Sequence, residues 1–444
     1  MGNNFNKFYG NACEIYQYVA AVTGLAGNSG SPTDTWILHT KPSTYYNGEL
    51  LTSIFMKWFI SPTTLPTEDT LGLSYEIKVY RDIISPILEN NICPNFVGYL
   101  GSADNCTFDD IVKIGESSAD VNQIRRSIQH MMKTRVERMF EARPAVTDPL
   151  LITVTTTIPS VTVSTYRFSI LLNEVIKARS VTLSGYLKNK ERANRILGIR
   201  KTQGFFNVQD YQLLFQIMVA CYVMSLAKMN HNDLHFENIY CEPFDIPQTL
   251  YYEIEGVLYE LPNQQYLAKI YDYDLAFVTQ FGSNANLNTS DPFFLSGSNS
   301  FCAPKDLINV IVKFFRRREM DTVYFTLFLK DLTQFDKWSN FIFNDDETFT
   351  AADIAADLFS PLQILQNVGE LIESRSDAQI RTAAFFNFGG VHQISSTSFS
   401  PDGVLLPPNL VLRQNAERLS VELANCKLQL GATDDLRSKK RRRQ

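Results

Sequence analysis

His231-Asn232-Asp233-Leu234-His235-Phe236-Glu237-Asn238 is the stretch from which the rest of the chain can be read. Its polar residues make chemical sense as a set. Asp233 carries the group needed to accept a proton from an attacking hydroxyl. Asn238, five positions on, carries a side-chain oxygen that can hold a divalent cation. Alone, a His-Asp pair in a loop more often caps a turn or a helix, so the octet needs support from elsewhere.

That support stands on both sides of it. Residues 210–229 form a long apolar run (Leu213, Leu214, Ile217, Met218, Ala220, Val223, Leu226), which predicts a buried helix ahead of the loop. About thirty residues after the octet comes Lys269-Ile270-Tyr271-Asp272-Tyr273-Asp274-Leu275-Ala276, where an Asp follows a strand-like segment. With H-x-D-x-x-x-x-N at 231–238 and the later Asp272, the chain resembles the protein-kinase-like superfamily. The D-Y-D at 272–274 and the large insertion make it most similar to serine/threonine kinases of large double-stranded DNA viruses.

The resemblance implies an α+β, bilobal protein-kinase-like fold, with a β-rich N-lobe carrying an insertion and a helical C-lobe. It implies ATP and Mg2+ as cofactors. Asp233 would orient and deprotonate the acceptor, while Asn238 and Asp272 would hold the metal. Asp274, where the family has Gly, is either a further metal ligand or a turn cap. His235 stands where Ser/Thr kinases have Lys, and a protonated imidazole there could still donate to the terminal phosphate. Asn232 stands where the family has an Arg that pairs with a phosphate on the activation segment, which implies activity without such phosphorylation.

The N-lobe is expected over residues 1–172. Residues 16–23 and 35–38 read as strands around Gly24-Leu25-Ala26-Gly27-Asn28-Ser29-Gly30-Ser31. Gly27 and Gly30 could let backbone amides approach phosphates, although the spacing departs from G-x-G-x-x-G and an ordinary hairpin reads the same. Ser53-Ile54-Phe55-Met56-Lys57-Trp58-Phe59 sets one Lys in an apolar strand. A buried ammonium needs a partner; an edge-strand Lys facing water is the plainer reading. Lys57 resembles the family's phosphate-contacting Lys. Its partner would be Glu76, beside the stripe Leu73, Ile77, Tyr80 and Ile84 of the next predicted helix, where a solvated charge is the alternative.

An insertion is expected at about 101–165, with an amphipathic helix at 120–142 that presents a basic face and β-rich sequence at 150–163. Residues 166–175 would lead into the hinge, where Glu174 and Val175 would meet the adenine edge through their backbone. A short helix is expected at 180–187. The C-lobe would run over 173–430, with a hairpin at 242–265, an activation segment at 277–301, and an end at Ala303-Pro304-Lys305 where Lys replaces the family's Glu. Asp306 either caps the next helix or holds the catalytic-loop backbone. The last segment, 431–444, is a basic tail whose residues 437–443 suit an acidic surface or nucleic acid, a nuclear signal, or simple solvation.

Composition excludes other classes. The chain has 444 residues, 45% hydrophobic and 20% charged, as in ordinary globular proteins, and a net charge of −6 argues against a general nucleic-acid binder. No apolar run approaches the roughly 18 residues that cross a bilayer, and no secretory signal is visible. Seven scattered cysteines without a C-x-x-C pair predict reduced thiols and no structural zinc. A cytoplasmic location follows, in host cytoplasm or virion if the chain is viral, with the nucleus an option through the tail. The expected function is phosphoryl transfer from Mg-ATP to Ser/Thr hydroxyls of protein substrates. A small-molecule kinase of the aminoglycoside or choline type, which often reads H-x-D-L-H, and a catalytically impaired pseudokinase serving as a scaffold are the alternatives.

Overall fold

The computed structural model describes residues 3–4, 8–9, 12–25, 33–42, 44–46, 49–62, 73–115, 166–175, 179–196, 208–287, 298–303, 305–316 and 390–408. The protein is mixed α and β, with antiparallel sheets and several helices. The first sheet is built from β1 (Val19–Leu25), β2 (Thr33–Thr40), β3 (Ser53–Pro62), β4 (Tyr99–Cys106) and β5 (Tyr166–Glu174). Its order is β4-β5-β3-β2-β1, with the two-residue strand Phe8–Tyr9 added in parallel beyond β4.

Strand alternation sorts β3 into two faces. Ile54, Met56 and Trp58 join Trp36, Leu38, Phe168, Ile170 and Leu172 in one apolar cluster. Lys57 and Phe59 point the other way, toward α1 (Leu73–Val79). The helix continues through a π-turn, Tyr80–Ile84, into α2 (Ser85–Glu89). The helical stripe read from sequence is present, with Leu73, Ile77, Tyr80 and Ile84 all buried, and Tyr80 at the head of the π-turn lies against Tyr273, ring centroids 4.9 Å apart.

α3 (Phe108–Gly115) closes the first sheet, with Ile111, Val112 and Ile114 in its cluster. Residues 101–106, placed by sequence in the insertion, are instead sheet residues paired to β5. The predicted helix at 120–142 and the strands at 150–163 lie outside the described residues, as do Gly27, Gly30 and the basic tail. The N-terminal strand also differs: Ala12–Tyr18 is a 3-10 turn and the strand begins at Val19. The cause is anchoring, because Ile15 is fully buried and Cys13 is bonded to Cys106. That disulfide corrects the expectation of reduced thiols for this pair; Cys93, Cys221, Cys241 and Cys302 are free and buried.

β6 (Val181–Thr182) leads into α4 (Leu183–Ile196), longer than the short helix predicted. The apolar run becomes α5 (Val208–Leu226), buried on all sides. Its two buried amides are satisfied: Gln216 donates to Gln264 and the Tyr266 carbonyl and accepts from the Ala268 amide, and Gln212 accepts from Gln264. β7 (Met229–Asn230) pairs with β10 (Phe277–Val278). Between them runs the hairpin of β8 (Ile239–Ile254) and β9 (Val257–Ile270), turning at Glu255 and Gly256, both at positive φ. α6 (Lys305–Arg316) packs on α5, and β11 (Val391–Ile394) adds in parallel to β8. Among the described residues no helix is long and apolar enough to cross a membrane.

β11 carries a pH-sensitive group. His392 is 5% exposed, lies against Tyr252 and meets the Asn91 carbonyl through Nδ1. Burial lowers its pKa to about 4. A neutral histidine in the fold and an ordinary one in the unfolded chain make the unfolded state bind the extra proton between these values. Stability should therefore be full above pH 6.5 and fall by about 3 kcal/mol as pH drops to 4. Urea unfolding of the wild type and His392→Gln across that interval checks it; parallel curves would contradict the assignment.

Candidate active site

Three elements meet at Lys57. Its Nζ lies 2.7 Å from Asp272 Oδ1 and 2.8 Å from Glu76 Oε2. Both contacts are ion pairs at charge-assisted hydrogen-bonding distance. Lys57 and Glu76 are 8% and 1% exposed. The pairing that sequence proposed for these two residues is present, and β3 alternation together with the α1 stripe accounts for it.

Charge around this ammonium is unbalanced. Burial alone would lower the Lys57 pKa, but Glu76, Asp272 and Asp274 more than offset it and hold the ammonium well above its ordinary value. Burial pushes the Glu76 carboxyl up to about 7 against the pull of Lys57. Burial also works to raise Asp272, yet Lys57 beside it keeps it below the ordinary range. Asp274 is pushed up, first by burial and then by Asp272, with Asp233 adding to the repulsion. One ammonium therefore faces several carboxylates.

Asp272 sits at φ 69°, a left-handed conformation unusual for a residue other than Gly. Its amide donates to the Tyr80 hydroxyl, 3.3 Å away, so the π-turn of the first helix helps fix it. Two residues upstream of Asp233, His231 is fully buried; its Nε2 donates to the Tyr271 carbonyl at 2.9 Å, which sets its tautomer. Asn238 donates its Nδ2 to the Asp233 carbonyl at 3.0 Å and to Asp233 Oδ2 at 3.3 Å. With the amide nitrogen spent, Oδ1 is the atom left to face a cation. His235 caps the turn Phe236–Asn238: Nδ1 accepts from the Glu237 amide, and Nε2 lies 3.5 Å from Asp233 Oδ2. Its proton is thus on Nε2, directed at Asp233.

The loop is held from below by α6. Asp306, 4% exposed, accepts from the His231 amide, the Asn232 amide and Asn230 Nδ2 at 2.8, 3.2 and 3.0 Å. Of the two roles open in the sequence, holding the backbone of the 231–238 loop is the one observed. Asn232, at φ 65°, donates to the Leu275 and Ser298 carbonyls and accepts from Lys305 Nζ at 2.9 Å. Sequence reading saw only a missing Arg there, and missed that the amide ties both ends of the following segment. Asn284 extends the lacing to the carbonyls of Asp274 and Ala276.

At the end of β5, the Glu174 amide donates to the Gly98 carbonyl, and its carboxylate pairs with Lys269 at 2.7 Å. Lys269 also meets Glu242 at 3.0 Å. The Glu174 N–H is therefore spent inside the protein. Lys269 and Glu242 were not singled out from sequence; a Lys inside an apolar strand was the available signal, the same one that marked Lys57.

The donor set suits a hard divalent cation. Asp272, Asp274 and Asn238 each carry a side-chain oxygen of the kind that hard cations prefer, and carboxylates outnumber the ammonium beside them. Among the described residues no group of three or more His, Cys, Asp and Glu side chains is gathered for metal binding. Comparison with protein-family models gives no match, and comparison with curated proteins gives none.

Removing Asp306 tests the scaffold. Asp306→Ala leaves the buried His231 and Asn232 amides unsatisfied and removes one of the two acceptors of Asn230 Nδ2, and should cost about 3–5 kcal/mol in urea unfolding. A loss under about 1 kcal/mol would show that the loop is held by other contacts.

Proposed function

We propose that the protein is a phosphotransferase with a bilobal protein-kinase-like fold, moving the terminal phosphoryl group of Mg-ATP to a Ser or Thr hydroxyl of a protein. The observation that carries this reading is the convergence of Lys57, Glu76 and Asp272, residues from a strand, a helix and a loop far apart in sequence, around one buried ammonium. The sheet of β1 to β5 would be the core of one lobe, and α4 to α6 with the β8–β9 hairpin the core of the other.

In this reading Lys57 binds and orients the phosphates, and Glu76 keeps its ammonium in place. Asp233 accepts the proton of the attacking hydroxyl, held in orientation by the Asn238 amide and by His235 Nε2. Asn238, Asp272 and, beside them, Asp274 would hold magnesium, which when bound neutralises charge on the phosphates. Catalysis then rests on positioning and charge compensation. A small-molecule acceptor is the second reading. It is favoured by His235, whose Nδ1 is committed to the Glu237 amide where a Ser/Thr kinase would offer a free lysine.

Asp233→Ala and Asp272→Ala should each lower phosphate incorporation from radiolabelled Mg-ATP by about a hundredfold to a thousandfold, with circular dichroism unchanged. The screen uses protein acceptors beside amino-sugar and choline-like ones. Retained turnover in either variant rejects the assignment.

A further inference from the structure

α4 carries a cationic stripe beside the loop that holds Asp233. Lys188, Arg192 and Arg195 fall at positions i, i+4 and i+7, one face of a helix, and all three are exposed. Lys190 belongs to a different set, since it is paired with the buried Asp210. Arg192 has no ion pair among the described residues, and Arg195 makes only a loose one with Glu191 at 3.6 Å. On a chain of net charge −6, this stripe is a local reversal of sign.

Its position is fixed by the catalytic loop itself. β6 pairs with Tyr240 and Cys241, just past that loop. Glu237 turns away from Asp233 onto the start of α4, where Thr182 Oγ1 donates to it at 2.7 Å and Lys188 approaches to 3.8 Å. The Glu237 carboxylate is thereby partly neutralised, and the helix surface beyond it is positive. From Lys188 to Arg195 the helix rises about 10 Å, the length of about three residues of extended peptide.

We propose that α4 is the docking face for an acidic segment of the protein substrate, with Asp or Glu side chains a few residues from the acceptor hydroxyl. The inference rests on the phosphotransferase reading and names its substrate class. Charge complementarity selects the occupant: a basic or neutral segment gains nothing from Arg192 and Arg195, whereas an acidic one pairs with both and is steered to the loop.

Peptides of equal length with a single serine, flanked by Ala, by Glu on either side, or by Lys, test this with the full chain and Mg-ATP. Glu-flanked peptides should show a KM about tenfold below the neutral one, and the advantage should shrink as ionic strength rises. The double variant Arg192→Glu/Arg195→Glu should abolish that advantage while KM for ATP and kcat on the neutral peptide stay unchanged. Neutral or Lys-flanked peptides used as well as acidic ones, or a double variant that keeps the preference, overturns the docking face alone. Transfer only to small molecules also overturns it. No transfer to any acceptor overturns the phosphotransferase reading and the inference with it.

Discussion

A lysine ammonium closed inside protein costs several kcal/mol unless its partners stay put, and Lys57 has two. That requirement disciplines much of the structure. β3 must present Lys57 on the face toward α1, so the strand's alternation cannot slip by one residue without exchanging Lys57 for Met56 or Trp58 in the apolar cluster. α1 must hold Glu76 at the edge of its stripe. The turn after β9 must place Asp272 opposite, which it does in a left-handed conformation pinned by Tyr80.

The arrangement is nevertheless not optimised for stability. Glu76, Asp272 and Asp274 surround a single cation, and burial pushes two of the three carboxyls above their ordinary range. An interior selected only to persist would contain matched charges or apolar side chains. Under the phosphotransferase reading, this excess of oxygen donors over the one ammonium is what a site that takes up positive charge would need. This is why the electrostatics and the phosphotransferase reading support one another more strongly than either residue motif does alone.

What could be read from the sequence follows the physics of pattern. Lys57 and Glu76 were legible because strand and helix periods say which residues face inward. The α5 helix was legible for its unbroken apolarity, and the Glu255-Gly256 turn for its chemistry. The amide lacing by Asn230, Asn232 and Asn284 was not, since an Asn that hydrogen-bonds a distant carbonyl leaves no period behind it. The Cys13–Cys106 bridge spans 93 positions in a chain with an odd number of scattered cysteines. Nothing local distinguishes those two from the four that remain buried thiols. The start of the insertion was misplaced for a related reason: Gly101 and Ser102 in β4 look like loop residues, but their backbone pairs with Leu172 and Leu171 in the sheet.

Asn232 shows how one neutral side chain changes the logic of a site. A guanidinium at that position would be left unsatisfied until an anion arrived, and the segment around it would be ordered only then. The carboxamide has two donors and an acceptor, and each finds a partner: the carbonyls of Leu275 and Ser298, and the ammonium of Lys305. Lys305 in turn occupies the place where the kinase pattern has an acid. The two departures from that pattern are therefore one exchange, in which a charge that needs an external counterion is replaced by a neutral hub that needs none. Under the phosphotransferase reading, the loop bearing Asp233 stands assembled through contacts the chain supplies for itself.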